Sequence, residues 1–126
     1  MDYLNVSEYI HRLETNVSAD KVSPDLPKKI CQVISSSLGK PLQYCVATVV
    51  PDVKMSWGGT NEPCAQATLV SIGALDVNKN KQHSKAFFDL ICKELQISPE
   101  RMYIHYINAP SSDMGYNYST FHDILG

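Results

Sequence analysis

Hydrophobic positions along the chain switch between two periods, and the switches mark out its elements. Leu13 to Val17 carries a short strand pattern, followed by Ser23-Pro24, which suits an N-cap and a first helical position. Leu26, Ile30, Val33, Ile34 and Leu38 then recur at helical spacing and share one face, and Gly39 is placed to end the helix. After Lys40-Pro41, the run from Tyr44 to Val50 is rich in β-branched and aromatic residues and predicts a strand buried on both sides or nearly so, closed by Pro51-Asp52. The same order returns. Ala65 to Ile72 predicts a strand ended by Gly73, and from about Asn78 a helix directs Ala86, Phe87, Leu90, Ile91 and Leu95 inward and Lys79, Lys81, Lys85 and Lys93 outward. Leu95-Gln96-Ile97-Ser98-Pro99 leads into a strand from Met102 to Asn108.

Two successive β-α-β units imply an α/β protein of two layers, with a four-stranded sheet and both helices on one face, because parallel crossovers are right-handed almost without exception. The other face is left uncovered. Val46, Thr48 and Leu69 are assigned to it and are too apolar for water, so a partner surface is expected. Beyond Asn108, Ala-Pro-Ser-Ser-Asp breaks regular structure, and Met114 to Phe121 predicts a short hairpin that pairs with a neighbouring subunit. Residues 1–9 stand outside the duplication as an amino-terminal extension to a single domain over residues 10–126.

At 126 residues the chain falls within the size of one domain, and such a fold buries roughly two-thirds of its unfolded surface without needing metals or disulfides. With 11 basic and 13 acidic residues, net charge −2, there is no stripe to neutralise phosphates, which argues against nucleic acid. No apolar run reaches the roughly 20 residues needed to span a bilayer. Cys31, Cys45, Cys64 and Cys92 show neither a C-x-x-C pair nor metal-like spacing, so free, mostly buried thiols are expected, with no metal and no cofactor. No signal-peptide pattern opens the chain, and the sequons at Asn5, Asn16 and Asn117 read as chance. His11, His83 and His122 form no constellation and read as surface residues.

Thr15-Asn16-Val17, Gly39-Lys40-Pro41, Val50-Pro51-Asp52, the stretch from Gly58 to Ala65, Ser71-Ile72-Gly73, Ile97 to Ile104, and Gly115 to Phe121 are seven segments that together resemble the macrophage migration inhibitory factor family. The resemblance covers about residues 12–121. It implies a homotrimer whose sheets wrap a central channel, with keto-enol tautomerase activity on phenylpyruvate-like acids. Family members of animals and parasites also act as cytokines that leave cells without a signal peptide, so a cytoplasmic and secreted protein that engages a cell-surface receptor is expected.

The family's base is an N-terminal proline with a neutral secondary amine, and the resemblance places Tyr9 at its position. Tyr9 has eight residues before it and no free amine, and Met1-Asp2 favours a retained methionine. The rest of the pocket carries over in part. Lys40 takes the carboxylate-binding position, Ile72 the floor, Tyr103 the tyrosine of the neighbouring subunit, and Met114, Tyr116 and Phe121 the apolar rim, with Tyr44 at the edge. His105 stands where the family has asparagine, and Cys64-Ala65-Gln66-Ala67 has lost one sulfur of a dithiol.

Taken alone, Lys40 reads as a lysine on a helix C-terminus, and Tyr103 with His105 as an ordinary cross-strand pair. Two functions from different classes follow from the family frame. One is a recognition protein with a disabled catalytic centre, and the other a working tautomerase, either after removal of residues 1–9 or with His105 as the base. No feature argues for a purely structural role.

Overall fold

The computed structural model describes residues 9–125, so all but the last residue of the expected amino-terminal extension, with the sequon at Asn5, falls outside the described residues. In chain order the elements are β1 (Tyr9–Thr15), α1 (Leu26–Leu38), β2 (Cys45–Val50), β3 (Ala65–Ser71), α2 (Val77–Leu95), β4 (Met102–Asn108), β5 (Gly115–Tyr116), β6 (Ser119–Thr120) and α3 (Phe121–Leu125). The sheet order is β2-β1-β3-β4. β1 pairs parallel with β2 and β3 parallel with β4, while β1 and β3 join the two units antiparallel. This is the duplicated two-layer architecture that the periodicity predicts.

Strand parity decides which side chains meet the helices. Leu13, Ala65, Ala67, Leu69 and Met102 are buried on the covered face against Leu26, Ile30, Ile34 and Leu38 of α1 and Phe87, Ile91 and Leu95 of α2. Burying each such large apolar side chain stabilises the fold by about 1.5–3 kcal/mol. Arg12, Val46, Thr48, Gln66, Tyr103, His105 and Ile107 alternate with them and stay exposed on the other face.

Four expectations are corrected. β1 starts at Tyr9, four residues before the apolar pattern becomes clear, and ends before Val17. Leu69 faces the helices, fully buried, rather than the open side. β2 is an edge strand with an open face, and Tyr44 belongs to the turn before it. α1 is capped at Asp25, because Ser23-Pro24 forms a preceding turn in which the Leu26 amide bonds the Ser23 carbonyl at 3.1 Å. Pro27 takes the first helical turn instead, where its missing N–H costs nothing.

His11 and His83 are also corrected, since both are buried beneath the sheet rather than on the surface; His122 is exposed. All four cysteines are free, but only Cys64 is buried and the other three are half-buried. The Asn16 amide is engaged inside the molecule: its Nδ2 donates to the carbonyls of Asn61 and Glu62, both at 3.1 Å, and its Oδ1 accepts from the Cys64 amide at 2.9 Å. No helix among the described residues is long and apolar enough to cross a membrane.

Candidate functional site

One end of the sheet collects most of the sequence-predicted site. Tyr9 is in register with Cys45 of β2 and Ser71 of β3, and Ser71 with Asn108 of β4, so β1 and β2 begin where β3 and β4 end. The connections Lys40–Tyr44, Ile72–Gly73 and Ala109–Met114 therefore converge there. The Ala109 amide bonds the Ser71 carbonyl at 2.8 Å, which carries the chain after β4 across the end of β3.

The hairpin that follows folds back onto this end. Asn117 and Tyr118 both adopt left-handed backbone, φ 51° and 67°, the geometry of a tight two-residue hairpin turn. The Phe121 amide closes it on the Met114 carbonyl at 3.0 Å. Buried Met114 and Phe121 thereby pack with Tyr44, Val70, Ile72 and Ala109 in a small cluster separate from the main core. Phe121 stacks on Tyr116 at 5.1 Å between ring centroids, and Tyr44 meets both edge-on at 5.6 and 6.0 Å. Each such ring pair adds about 0.5–1.5 kcal/mol beyond its burial and favours another aromatic ring alongside.

Lys40 lies in the same connection as Tyr44. Gly39 ends α1 in left-handed backbone, φ 71°, a conformation that favours glycine, and this turns the chain toward Lys40. The Lys40 amide bonds the Ser35 carbonyl at 3.1 Å and its carbonyl accepts from Ser35 Oγ at 2.5 Å, so the main chain of the lysine is fixed at both ends. The Lys40 side chain is buried.

Tyr103 and His105 lie elsewhere in the protomer. Tyr103 is paired with Gln66 near the opposite end of the sheet, five residues before Asn108, or roughly 17 Å along the strand at about 3.3 Å per residue. Both side chains project from the open face, beside a shallow depression of about 470 Å³ that Glu14, Gln66 and Thr68 also line. The Tyr103 ring is 69% exposed, yet it is not loose: Trp57 lies against it, 4.4 Å between centroids.

Sequence reasoning missed the residues that hold that tryptophan. Arg101 spreads its guanidinium over three carbonyls of one loop, Pro63 at 3.0 Å, Glu62 at 2.9 Å and Trp57 at 3.3 Å. Thr15 Oγ1 adds a bond to the Cys64 carbonyl at 2.8 Å, beside the Asn16 amide. Much of the Thr15-Asn16-Val17 and Asn61 to Cys64 motifs is thus explained by loop fixation.

Acid–base and nucleophilic groups are sparse. Burial pushes the Cys45 thiol up to about 11, with Cys31 nearby adding to the effect, which leaves little thiolate at neutral pH. Burial also holds the His11 imidazole down to about 4, and neither of its ring nitrogens has a protein partner. Among the described residues no group of three His, Cys, Asp or Glu side chains is placed to hold a metal ion.

Residues 9–122 match the family model described as "Macrophage migration inhibitory factor (MIF)". Among similar proteins, macrophage migration inhibitory factor of Mus musculus is 38% identical over 109 residues, 86% of this chain and 95% of the mouse protein. A macrophage migration inhibitory factor homolog of Trichinella spiralis is 37% identical over 112 residues, 89% of this chain and 98% of that protein. The solved structure of the Trichinella spiralis factor superposes with a TM-score of 0.85 at 35% identity, over 88% of this chain and 98% of its own.

Proposed function

The chain belongs to the macrophage migration inhibitory factor family, and from that premise we propose that it is a recognition protein whose pocket takes a small aromatic keto acid while its catalytic centre lacks the family's base. The observation that carries this reading is the place of Tyr9. It is the first residue of β1, set between Cys45 and Ser71 at the end of the sheet where the aromatic cluster forms. Family resemblance puts a terminal proline there, with a free amine poised to take a proton from a carbon next to a carbonyl. An internal residue has only an amide nitrogen. A phenol, with a reference pKa of about 10, is a weak base at neutral pH.

The binding half of the site is supported better than the chemical half. Met114, Tyr116 and Phe121 supply an apolar and aromatic rim, Tyr44 its edge and Ile72 the floor, while Lys40 is the cation suited to a carboxylate. Tyr103 and His105 complete the pocket from a neighbouring copy in a homotrimer. The open sheet face, with Val46 at 46% and Ile107 at 38% exposure, supports that assembly. On this reading the trimer serves chiefly as a cytokine-like ligand for a cell-surface receptor, in the cytoplasm and outside the cell.

Phenylpyruvate turnover tests the proposal. The full chain should work at background, and a variant trimmed to begin with proline at position 9 should be faster by about 10²–10⁴-fold, the usual contribution of a general base. Tyr9→Pro without trimming should restore nothing, because an internal proline is a tertiary amide. Rates typical of the family in the untouched chain, abolished by His105→Ala, overturn the disabled centre and make His105 the base.

A further inference from the structure

His83 is a buried polar group that the reading above leaves unused. It lies on the inner face of α2, 3% exposed, and both of its ring nitrogens are engaged. Nε2 lies 2.9 Å from the Ala74 carbonyl and Nδ1 lies 2.7 Å from Ser37 Oγ. A carbonyl only accepts, so Nε2 must carry the proton; Nδ1 of the neutral ring is then the acceptor and the Ser37 hydroxyl donates to it. Ser37 and Ala74 are far apart in sequence and belong to different halves of the duplicated fold.

Each partner sits at the root of a site segment. Ser37 is in the last turn of α1, three residues before Lys40. Ala74 follows Ile72 by two residues and holds a left-handed backbone, φ 61°, which a side chain with Cβ disfavours and which persists only where surrounding bonds fix it. Other bonds fix each of these two segments as well. Ser71 Oγ reaches the Gly73 carbonyl at 2.5 Å, the Gly73 amide reaches Asn108 Oδ1 at 3.0 Å, and Ser35 secures Lys40. The imidazole joins the α1–β2 connection to the loop after β3 by hydrogen bonds at both of its nitrogens.

We propose that His83 is a positioning residue that sets the spacing between Lys40 and Ile72 by clamping Ser37 and Ala74 together, and so tunes the pocket for an aromatic carboxylate. The inference rests on the pocket assignment made above. Ligand width is then read by a rigid imidazole below the floor, not by a residue that touches the ligand. Ser84 and Tyr106 provide the contrast: their side chains bond each other at 2.9 Å beside the His83 ring, yet reach neither site segment.

The test combines 3-phenylpropionate binding, by calorimetric titration, with amide hydrogen exchange in the segments 36–44 and 71–77. His83→Ala should weaken binding about tenfold, the loss of two hydrogen bonds, and should speed exchange in both segments. His83→Gln keeps a donor for the Ala74 carbonyl and should recover most of the affinity, whereas Tyr106→Phe should leave binding unchanged. Should His83→Ala fail to fold, Ser37→Ala removes only the α1 arm and is expected to weaken binding about threefold. Wild-type binding that survives His83→Ala or Ser37→Ala undiminished, with exchange unchanged, overturns the clamp. A wild type that binds no 3-phenylpropionate, while exchange still rises in both segments of the variant, supports the clamp and overturns the pocket assignment.

Discussion

The two faces of the sheet are built from the same four strands and differ in what they ask of each residue. On the covered face His11, Leu13, Thr15, Ala65, Leu69 and Ser71 are fully buried, so shape and hydrogen bonding decide what is tolerated. On the open face Arg12, Thr48, Gln66, Tyr103 and His105 are exposed, and Val46 and Ile107 are apolar without a cover in the protomer. The contrast teaches that stability is written on one set of alternate residues of each strand, while the other set is left facing outward. A substitution on one face should move the fold, and its neighbour in sequence should move association or binding.

The sharpest way to break this comparison is to empty the covered side. Phe87 is fully buried against the core and against His11, 5.0 Å between ring centroids, so Phe87→Ala should cost about 3–5 kcal/mol in urea unfolding. A loss below 1 kcal/mol means that the helices do not seal this face.

Next in size is a pH effect confined to the covered face. His11 titrates near 4 in the fold and near 6.5 when unfolded, because burial disfavours its charged form. Between those values the unfolded chain binds a proton that the native chain does not, so stability is full above about pH 6.5 and falls as pH drops toward about 4, by roughly 3 kcal/mol. His11→Phe should flatten that limb, measured by unfolding midpoints between pH 4 and 7. An unchanged slope in the variant assigns the acid limb to other groups.

Open-face changes should be the mildest on the fold. Tyr103→Ala removes a largely exposed ring and its contact with Trp57 and should cost about 1 kcal/mol or less. Val46→Asp should alter protomer stability by about 0.5 kcal/mol at most, yet should dissociate the proposed trimer to monomers in light scattering. A wild type that is monomeric at micromolar concentration removes the reason for an apolar open face.

Much of this molecule was set by local sequence alone. Period-3.6 runs placed both helices, β-branched and apolar stretches placed β2, β3 and β4, and Gly39 marked the end of α1, because backbone dihedrals and one-sided burial are short-range constraints, whereas β1 was legible only over its last three residues. The hairpin turn at Asn117-Tyr118 was legible from its turn residues, though α3, which begins at Phe121 where the hairpin was expected to continue, was not. Long-range contacts were not. In Ala65 to Ser71 small and apolar residues occupy both parities, so only the packed helices decide that Leu69 is inside and Val70 is not. Ser23 has the chemistry of an N-cap, but the turn it forms with Leu26 moves the start of α1 on to Asp25. Arg101 finds its three carbonyls about forty residues back along the chain, and the two buried histidines differ only in what surrounds them: His83 meets a hydroxyl and a carbonyl from separate halves of the fold, while His11 meets a phenylalanine ring. Hydrogen-bond partners and desolvation are properties of a site assembled from distant segments, so only the tertiary structure could assign them.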